Sequence, residues 1–599
     1  MARLLLQLRF PSPPPLAFLL LAAWCSLLWS EADASTTTVT LGKTVAGGLF
    51  HTCIIVEDKT LRCFGGGGSD RVKTLAPSGS LAAGFGNFGQ IGLNETLGDN
   101  ADEMGDDLPA VELGDNTVEE VFAGQSSTCV LLTSGSVACW GFNENGQLGL
   151  GDEVARGQSP SDMGDGLAFV DLGTDRTAVH IGGGQHHTCA VLDDGSLKCW
   201  GDNGHAALGL GDMDDRGDDE NEMGDNLPAI DLGTGRTAVE VDGGRYHTCA
   251  VLDNGALKCW GAEDDTQNVG QLGQGNIDGI GAVAGQMGDD LPEVDLGTGR
   301  TVLALATGWS HTCVLLDDAS MKCFGRNNDG QLGLGDDEDR GDEEGEMGDN
   351  LPAVNLGTAR HAVAITCGRW HTCVLLDNDD VKCFGVNDAD DLGEGQLGLE
   401  DAYERGKTLA TSGDGLEVVE LGTGRVASWI FAAFDHTCVI FADRAVKCWG
   451  LNASGQLGLE NEEDQGNLDG SMGDALSSVQ LGMKVASAPS PVSFDSLPDD
   501  GGGEEGMSEE LTITVALLAS AGFICLSGAI CVGCRRRLEK KNGAMMESVT
   551  SFEGFRASGT AEEGGAGGGD IATGGGLRRS RSVRAVDLAG AKHTVLKEP

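Results

Sequence analysis

Apolar and polar residues alternate through residues 35–482 in short runs, and one pattern returns at a spacing near 60 residues. The stretch Gly182 to Gly201, GGGQHHTCAVLDDGSLKCWG, shows it compactly. A Gly-rich turn leads into the apolar run HTCAVL, the turn Asp193-Asp194-Gly195 follows, and a second run ends in Lys-Cys-Trp-Gly. Strand, Gly-containing turn, strand is the signature of a tight β-hairpin. The fullest unit runs from Ile230 to Gly275. There IDLG predicts a short outer strand, TAVEV a second alternating strand, HTCAVL and ALKCWG the hairpin, and a Gly-Gln-Leu-Gly turn closes the unit. Four short strands per repeat predict propeller blades and not a helical solenoid. Gly and Asp interrupt every run longer than about six residues, so no helix is expected in the repeats.

The flanks read differently. Residues 1–34 predict a secretory signal peptide, with Arg3 and Arg9 ahead of the apolar run Leu16 to Leu28 and Ala32-Asp33-Ala34 before a cut at Ser35. Residues 483–510 form an acidic flexible linker with too few apolar residues to fold. Residues 511–533 are an uncharged apolar run of 23 residues, long enough to span a bilayer as a transmembrane helix. Arg535, Arg536, Arg537, Lys540 and Lys541 follow it, which puts the C-terminus in the cytosol. The tail, residues 534–599, is Gly-rich and expected to be disordered. Within it Cys534 is a candidate for lipidation. Ser580 and Ser582 are candidates for phosphorylation in an Arg-rich patch that reads first as a contact to anionic lipid.

Seven cysteine pairs share a spacing of ten: Cys53 with Cys63, Cys129 with Cys139, Cys189 with Cys199, Cys249 with Cys259, Cys313 with Cys323, Cys373 with Cys383 and Cys438 with Cys448. Pairing this regular predicts disulfides and an oxidising compartment. Cys367 has no partner at that spacing. Net charge is −54, and residues 35–510 alone hold 25 Lys+Arg against 83 Asp+Glu. A surface this acidic repels phosphate backbones, so no nucleic-acid role is expected.

The elements His-Thr-x-x-x-Leu, Gly-x-x-Lys-Cys-Trp-Gly, Asn and Gly-Gln-Leu-Gly-Leu-Gly resemble the repeat of the regulator of chromosome condensation family. The resemblance implies an all-β fold: a seven-bladed β-propeller over residues 35–482. Copies depart from the pattern at Ser127, which replaces the His, and at Ala206-Ala207-Leu208-Gly209, which replaces Gly-Gln-Leu-Gly. The first repeat also carries an insertion around Ser69 to Ala83. The outer-strand signature V/I-x-L-G at Val111, Val170, Ile230, Val294, Val354, Val419 and Val479 always follows a hairpin. The last of these, Val479 to Gly482, is expected to close the ring by pairing with the first blade.

Repeated residues read first as architecture. His51, His187, His247, His311, His371 and His436 occur once per repeat, which spreads them round a ring and predicts blade-packing hydrogen bonds. The Trp or Phe after each second Cys predicts blade core. The acidic loops are different. Asp212, Asp214, Asp218, Asp336 and Asp342 sit among glycines near a recurrent Met-Gly-Asp. They read either as a Ca²⁺ site or as a solvated acidic rim. Asn94-Glu-Thr and Asn452-Ala-Ser are N-glycosylation acceptors.

The resemblance also implies guanine-nucleotide exchange, as in nuclear relatives, but a propeller on the exported side of a membrane meets no cytosolic GTPase. The expected role is that of a single-pass type I plasma-membrane protein whose extracellular propeller binds a protein or glycan. The layout resembles the ectodomain and span of Crinkly-type plant receptor kinases, without the kinase, so any signalling needs a cytosolic partner for the tail. The alternative is a structural cell-wall or surface-coat component, calcium-bridged or not. No Ser/His/Asp or His/Glu set stands apart from the repeat consensus, so no enzyme and no cofactor are expected.

Overall fold

The computed structural model describes residues 43–66, 88–93, 95–262, 269–387, 394–489, 491, 492 and 494. The signal peptide, the Ser69–Ala83 insertion, Asn94, the span at 511–533, Cys534, Ser580 and Ser582 lie outside the described residues. Among the described residues no helix is long and apolar enough to cross a membrane.

The described residues form seven three-stranded antiparallel sheets, connected in simple meander order. In the fourth the strands are Ala238–Gly243, His247–Leu252 and Leu257–Gly261. The inner strands of the ring are Val45–Gly47, Val118–Ala123, Ala178–Gly183, Ala238–Gly243, Val302–Thr307, Ala362–Cys367 and Ala427–Ala432. These are the seven blades of a propeller.

The expected fourth strand is smaller than its sequence implies. Ile230 makes a single backbone bond to its hairpin, N–H to the Leu197 carbonyl at 2.8 Å. Two residues later the Leu232 carbonyl is taken by Lys258 Nζ at 3.0 Å, and Gly233 at φ 106° turns the chain away. A ladder cannot grow past that point, so each blade has three strands and a short tethered rim segment.

Within each hairpin the cysteines face one another directly. Cys189 opposes Cys199 and Val191 opposes Leu197 across the turn. Gly195 stands at φ 77°, and the Leu192 carbonyl accepts its N–H at 2.8 Å. All seven expected disulfides are present. They join Cys53 to Cys63, Cys129 to Cys139, Cys189 to Cys199 and Cys249 to Cys259 in the first four blades. Cys313 to Cys323, Cys373 to Cys383 and Cys438 to Cys448 follow in the last three. In each the Cα atoms are 4.1 Å apart, so the paired register alone brings the two thiols within bonding reach.

The aromatic after each pair is fully buried, as at Trp140, Trp200, Trp260, Trp449, Phe64, Phe324 and Phe384. A tight approach follows: a Cβ on Gly149, at φ 68°, would lie 2.7 Å from Trp200 Nε1.

The ring closes at the first blade by a route one step further along the chain than expected. Val479 bonds its own blade, N–H to the Val446 carbonyl at 2.8 Å, and only the Gln480 carbonyl reaches blade one, accepting from Gly105 N–H at 2.8 Å. The pairing segment is Lys484 to Ala486. Val485 bridges Val56, and Ala486 N–H donates to the Ile55 carbonyl at 2.9 Å. Val485 thereby occupies the place that Ala238 fills opposite Leu252 in blade four. The correction has a simple cause. V/I-x-L-G is the rim of the blade before it, whereas the short inner strand of blade one lacks its first residue.

Candidate functional site

The blades are bolted together by a buried polar girdle. In blades four to five, His247 Nε2 lies 3.1 Å from Thr312 Oγ1, and the Thr312 hydroxyl donates onward to the Gln271 carbonyl at 3.1 Å. The hydroxyl has one proton, so the imidazole must donate from Nε2. The same bond joins His51 to Thr128, His187 to Thr248, His311 to Thr372, His371 to Thr437, and His436 back to Thr52 at 2.8 Å. Ser127 leaves the one gap, between blades two and three. The expectation of blade-packing histidines holds. Burial lowers these imidazoles to about 3 at His51, His247, His311, His371 and His436, and to about 4 at His187.

The acidic loops are committed internally. Asp212 accepts from Arg216 Nη2 and Asp336 from Arg340 Nη2, both at 2.7 Å, and Asp212 also holds the Asp214 N–H. The Asp214 side chain points to solvent. Asp218 pairs with Glu222, while burial and the Glu346 carboxylate push Asp342 up to about 6. The carboxylates expected for Ca²⁺ therefore do not converge on one point. Among the described residues the one group of three donor side chains is His311, Cys313 and Cys367, and Cys313 is spent in a disulfide. The recurrent Met-Gly-Asp is structural: Asp289 accepts from both the N–H and the hydroxyl of Thr234, at 2.7 and 2.6 Å.

Asn452 is corrected as a glycan acceptor. It is fully buried, its Nδ2 donates to the Asn461 carbonyl at 2.8 Å, and its Oδ1 accepts from Leu457 N–H at 3.0 Å. Asn203 and Asn327 hold the equivalent loops in the same way. A glycan on Nδ2 has no exit from that position. Cys367 is a free thiol, packed against the Ala306 carbonyl at 3.7 Å, and burial raises its pKa well above the ordinary thiol range.

What sequence reasoning missed is the central channel. Alternate residues of each inner strand face it, while those between, such as Val121, Ile181 and Val241, are buried in the blades. The channel encloses about 160 Å³. One half of its wall is charged. Lys43 Nζ pairs with Asp242 at 2.9 Å, His180 Nδ1 with Glu120 at 3.0 Å, and Glu240 stands beside them. Burial works against charge on His180, but the Glu120 carboxylate raises its pKa above the ordinary value. The other half is apolar, with Ala304, Ala364, Trp429 and Phe431 at the corresponding positions.

At one mouth the turns before each His-Thr form a rim tied blade to blade by backbone bonds. Arg245 N–H donates to the Trp309 carbonyl, Trp309 N–H to Arg369, and Arg369 N–H to Phe434, at 3.1, 3.2 and 2.9 Å. On this rim cations and rings alternate. Arg245 Cζ lies 4.4 Å from the Tyr246 centroid and 4.5 Å from that of Trp309, and Arg369 Cζ lies 4.1 Å from Trp309. Trp309 and Trp370 centroids are 4.7 Å apart, and Arg326 Cζ covers Trp370 at 4.8 Å. Stacking holds each guanidinium flat, and Arg369 Nη1 also reaches Asp435 at 3.4 Å and Arg326 Nη2 Asp329 at 3.7 Å. Nε of Arg245, Arg326 and Arg369 has no hydrogen-bond partner. Burial, and secondarily the neighbouring Arg369, lower the pKa of Arg245 from its ordinary value. The signal in the chain was slight: Arg245, Tyr246, Trp309, Arg369 and Trp370 fill the variable places of Gly-x-x-His-Thr, and Arg326 follows Lys-Cys-Phe-Gly.

The regulator of chromosome condensation (RCC1) repeat matches residues 118–147, 178–206, 238–267, 302–331, 362–390 and 430–456, and a second description of that repeat matches 134–191 and 323–375. The chain is 26% identical over 385 residues to the ultraviolet-B receptor UVR8 of Arabidopsis thaliana, covering 62% of this chain and 76% of that protein. It is also 26% identical over 260 residues to the human E3 ubiquitin-protein ligase HERC2, which is 43% of this chain and 5% of that one. Among solved structures, yeast RCC1 (Prp20) bound to Kap60 aligns with TM-score 0.49 at 16% identity, over 76% of this chain and 92% of that one. The ectodomain of the Physcomitrella patens receptor kinase CR4 aligns with TM-score 0.35 at 16% identity, over 68% and 74%. The chain carries RCC1 repeats and folds as the seven-bladed RCC1-type propeller.

Proposed function

We propose that this RCC1-repeat chain is a single-pass plasma-membrane protein whose propeller, outside the cell, binds a protein or glycan ligand through the Arg–aromatic rim. Its role is binding and not catalysis. The carrying observation is the rim itself: three guanidiniums held flat by Tyr246, Trp309 and Trp370, with Nε donors unfilled. Planar forks of this kind suit carboxylate or sulfate groups, which they engage in two parallel hydrogen bonds. The preferred ligand face is therefore acidic, whether the carboxylates come from a protein or the anionic groups from a glycan. Seven disulfides support an oxidising compartment, and the apolar run 511–533 supports the anchor.

The test is proximity labelling from the full-length chain, tagged at the propeller, on intact unpermeabilised cells. Cell-surface or matrix partners are expected, and the double variant Arg245→Ala with Arg369→Ala should lose them while keeping surface expression. Labelling confined to cytosolic or nuclear proteins would refute the topology. Labelling unchanged in the double variant would refute the rim.

A further inference from the structure

Of the acidic groups in the channel wall, Glu240 alone makes no ion pair. Lys43 holds Asp242 at 2.9 Å, and the other carboxylate oxygen of Asp242 accepts from the Thr307 N–H and hydroxyl, both at 2.9 Å. Glu120 holds His180 at 3.0 Å and also takes the Ile181 N–H at 3.1 Å. Glu240 is 7% exposed and lines the channel. Its carboxylate takes the Leu305 N–H, but Oε2 has no hydrogen-bond partner. Two ion pairs flank it and Arg245 lines the same cavity nearer its mouth, but an ionised Glu240 has no ion pair of its own. A buried carboxylate in that position is costly unless a proton or a cation joins it. Burial raises its pKa to about 7, with His180 and Lys43 opposing the rise.

We infer that the channel is a site for a small organic ammonium, held by the Glu240 carboxylate against the rings of Trp429 and Phe431. A metal ion does not fit, because one free oxygen beside Lys43 falls short of the three or more donors such ions take. An ammonium needs one anionic acceptor and gains from aromatic faces, which the opposite half of the wall supplies. The volume, about 160 Å³, is close to that of an engineered cavity that binds benzene, so the ligand has roughly six to eight heavy atoms. A free amine or the side chain of a partner's lysine both meet that description. Arg245 and Arg369 line the same cavity, and Arg369 Nη1 reaches Asp435 at 3.4 Å.

Calorimetric titration of the purified full-length chain at pH 8 tests this with n-butylammonium, with 1-butanol as the neutral isostere and with Nα-acetyl-lysine amide. Butylammonium should bind at least tenfold more tightly than butanol, and Glu240→Gln should remove that difference while the far-UV spectrum stays native. Affinity should fall about tenfold between pH 8 and pH 6, as a carboxyl titrating near 7 takes up its proton. Phe431→Leu keeps the carboxylate and should weaken binding about threefold or more, which serves if the Gln variant fails to fold. Binding of the acetyl-lysine amide assigns the site to a partner's lysine, and its failure beside butylammonium assigns it to a free amine. Equal affinity for butanol, or unchanged affinity in Glu240→Gln, overturns the inference. So does no binding of either ammonium at 50 mM, a ceiling of about 2 kcal/mol.

Discussion

Lowering the pH should unfold this propeller through its own girdle. Six imidazoles donate from Nε2 to a threonine of the next blade, and Nδ1 of His51, His247, His311, His371 and His436 faces no partner. A second proton on such a ring is a buried, unsolvated charge, which is why burial holds the six near 3 to 4. In the unfolded chain each titrates near about 6.5. The folded pKa is depressed, so above 6.5 both states are neutral and nothing is lost. As pH falls below 6.5 the unfolded state takes up protons that the folded state refuses, and stability drops.

Between pH 6.5 and 5.5 each histidine costs about 1 kcal/mol, and with His186, which burial also lowers to about 4, seven cost about 7 kcal/mol. Glu240 acts in the opposite sense. Its folded pKa is raised to about 7, so its protonation favours the folded state over this window and returns about 1 kcal/mol. Lys43 stays charged beside Asp242, and the Glu120 carboxylate raises His180 above its ordinary value, so His180 adds no loss as the pH falls. The net loss of about 6 kcal/mol compares with a total stability of about 5–15 kcal/mol for a typical domain. Guanidinium melts of the full-length chain from pH 8 to pH 5 measure it. Midpoints should be flat above pH 7 and fall steeply below 6.5. His371→Gln should reduce the slope by about one seventh, since one titrating group is gone. A midpoint unchanged between pH 7 and 5.5 would refute buried neutral histidines.

Four smaller changes test other parts of the frame. Ser127→His fills the gap opposite Thr188 and should raise the guanidinium midpoint by about 0.5–1.5 kcal/mol at pH 8, while steepening the acid loss. Ala206 holds φ 61° where Gly146 holds φ 74°, so Ala206→Gly should stabilise by about 0.5–1 kcal/mol in the same melts. Asn452→Ala removes the amide that ties its loop and should cost about 2–3 kcal/mol, with no glycan mass lost from that peptide by mass spectrometry. Cys189→Ala with Cys199→Ala should cost about 2–3 kcal/mol by chain entropy, read as a lower thermal midpoint.

The architecture was legible because it repeats. A hairpin seen once as HTCAVL-DDGS-LKCWG is a guess, but seven copies with cysteines ten apart specify register, and Cys189 does face Cys199. The girdle was legible for the same reason, although its partner was not: that His247 meets Thr312 of the next blade depends on how blades pack. Asn452 misled because Asn-x-Ser is read from composition, whereas burial of that amide follows from the Gly-Gln-Leu-Gly loop folding over it. The closure was misplaced because a rim segment bonded to its own blade looks, in sequence, like one awaiting the next.

The channel could not be read, and the reason bears on function. Glu120, His180, Glu240, Ala304, Ala364 and Trp429 occupy one register position in successive inner strands, each opposite the equivalent residue of its middle strand. Nothing local distinguishes them, because all lie in short alternating strands about 60 residues apart. The frame needs only that position to be small enough or paired, which Ala304 satisfies by size and Glu120 by His180. What it does not need is Glu240 without an ion pair, or Arg245, Trp309 and Arg369 stacked on the rim above it. A fold stabilised by identical hairpins is free to vary those places without losing its core. The residues that depart from stability's requirements, facing one cavity and its mouth, are where selection for a ligand would act.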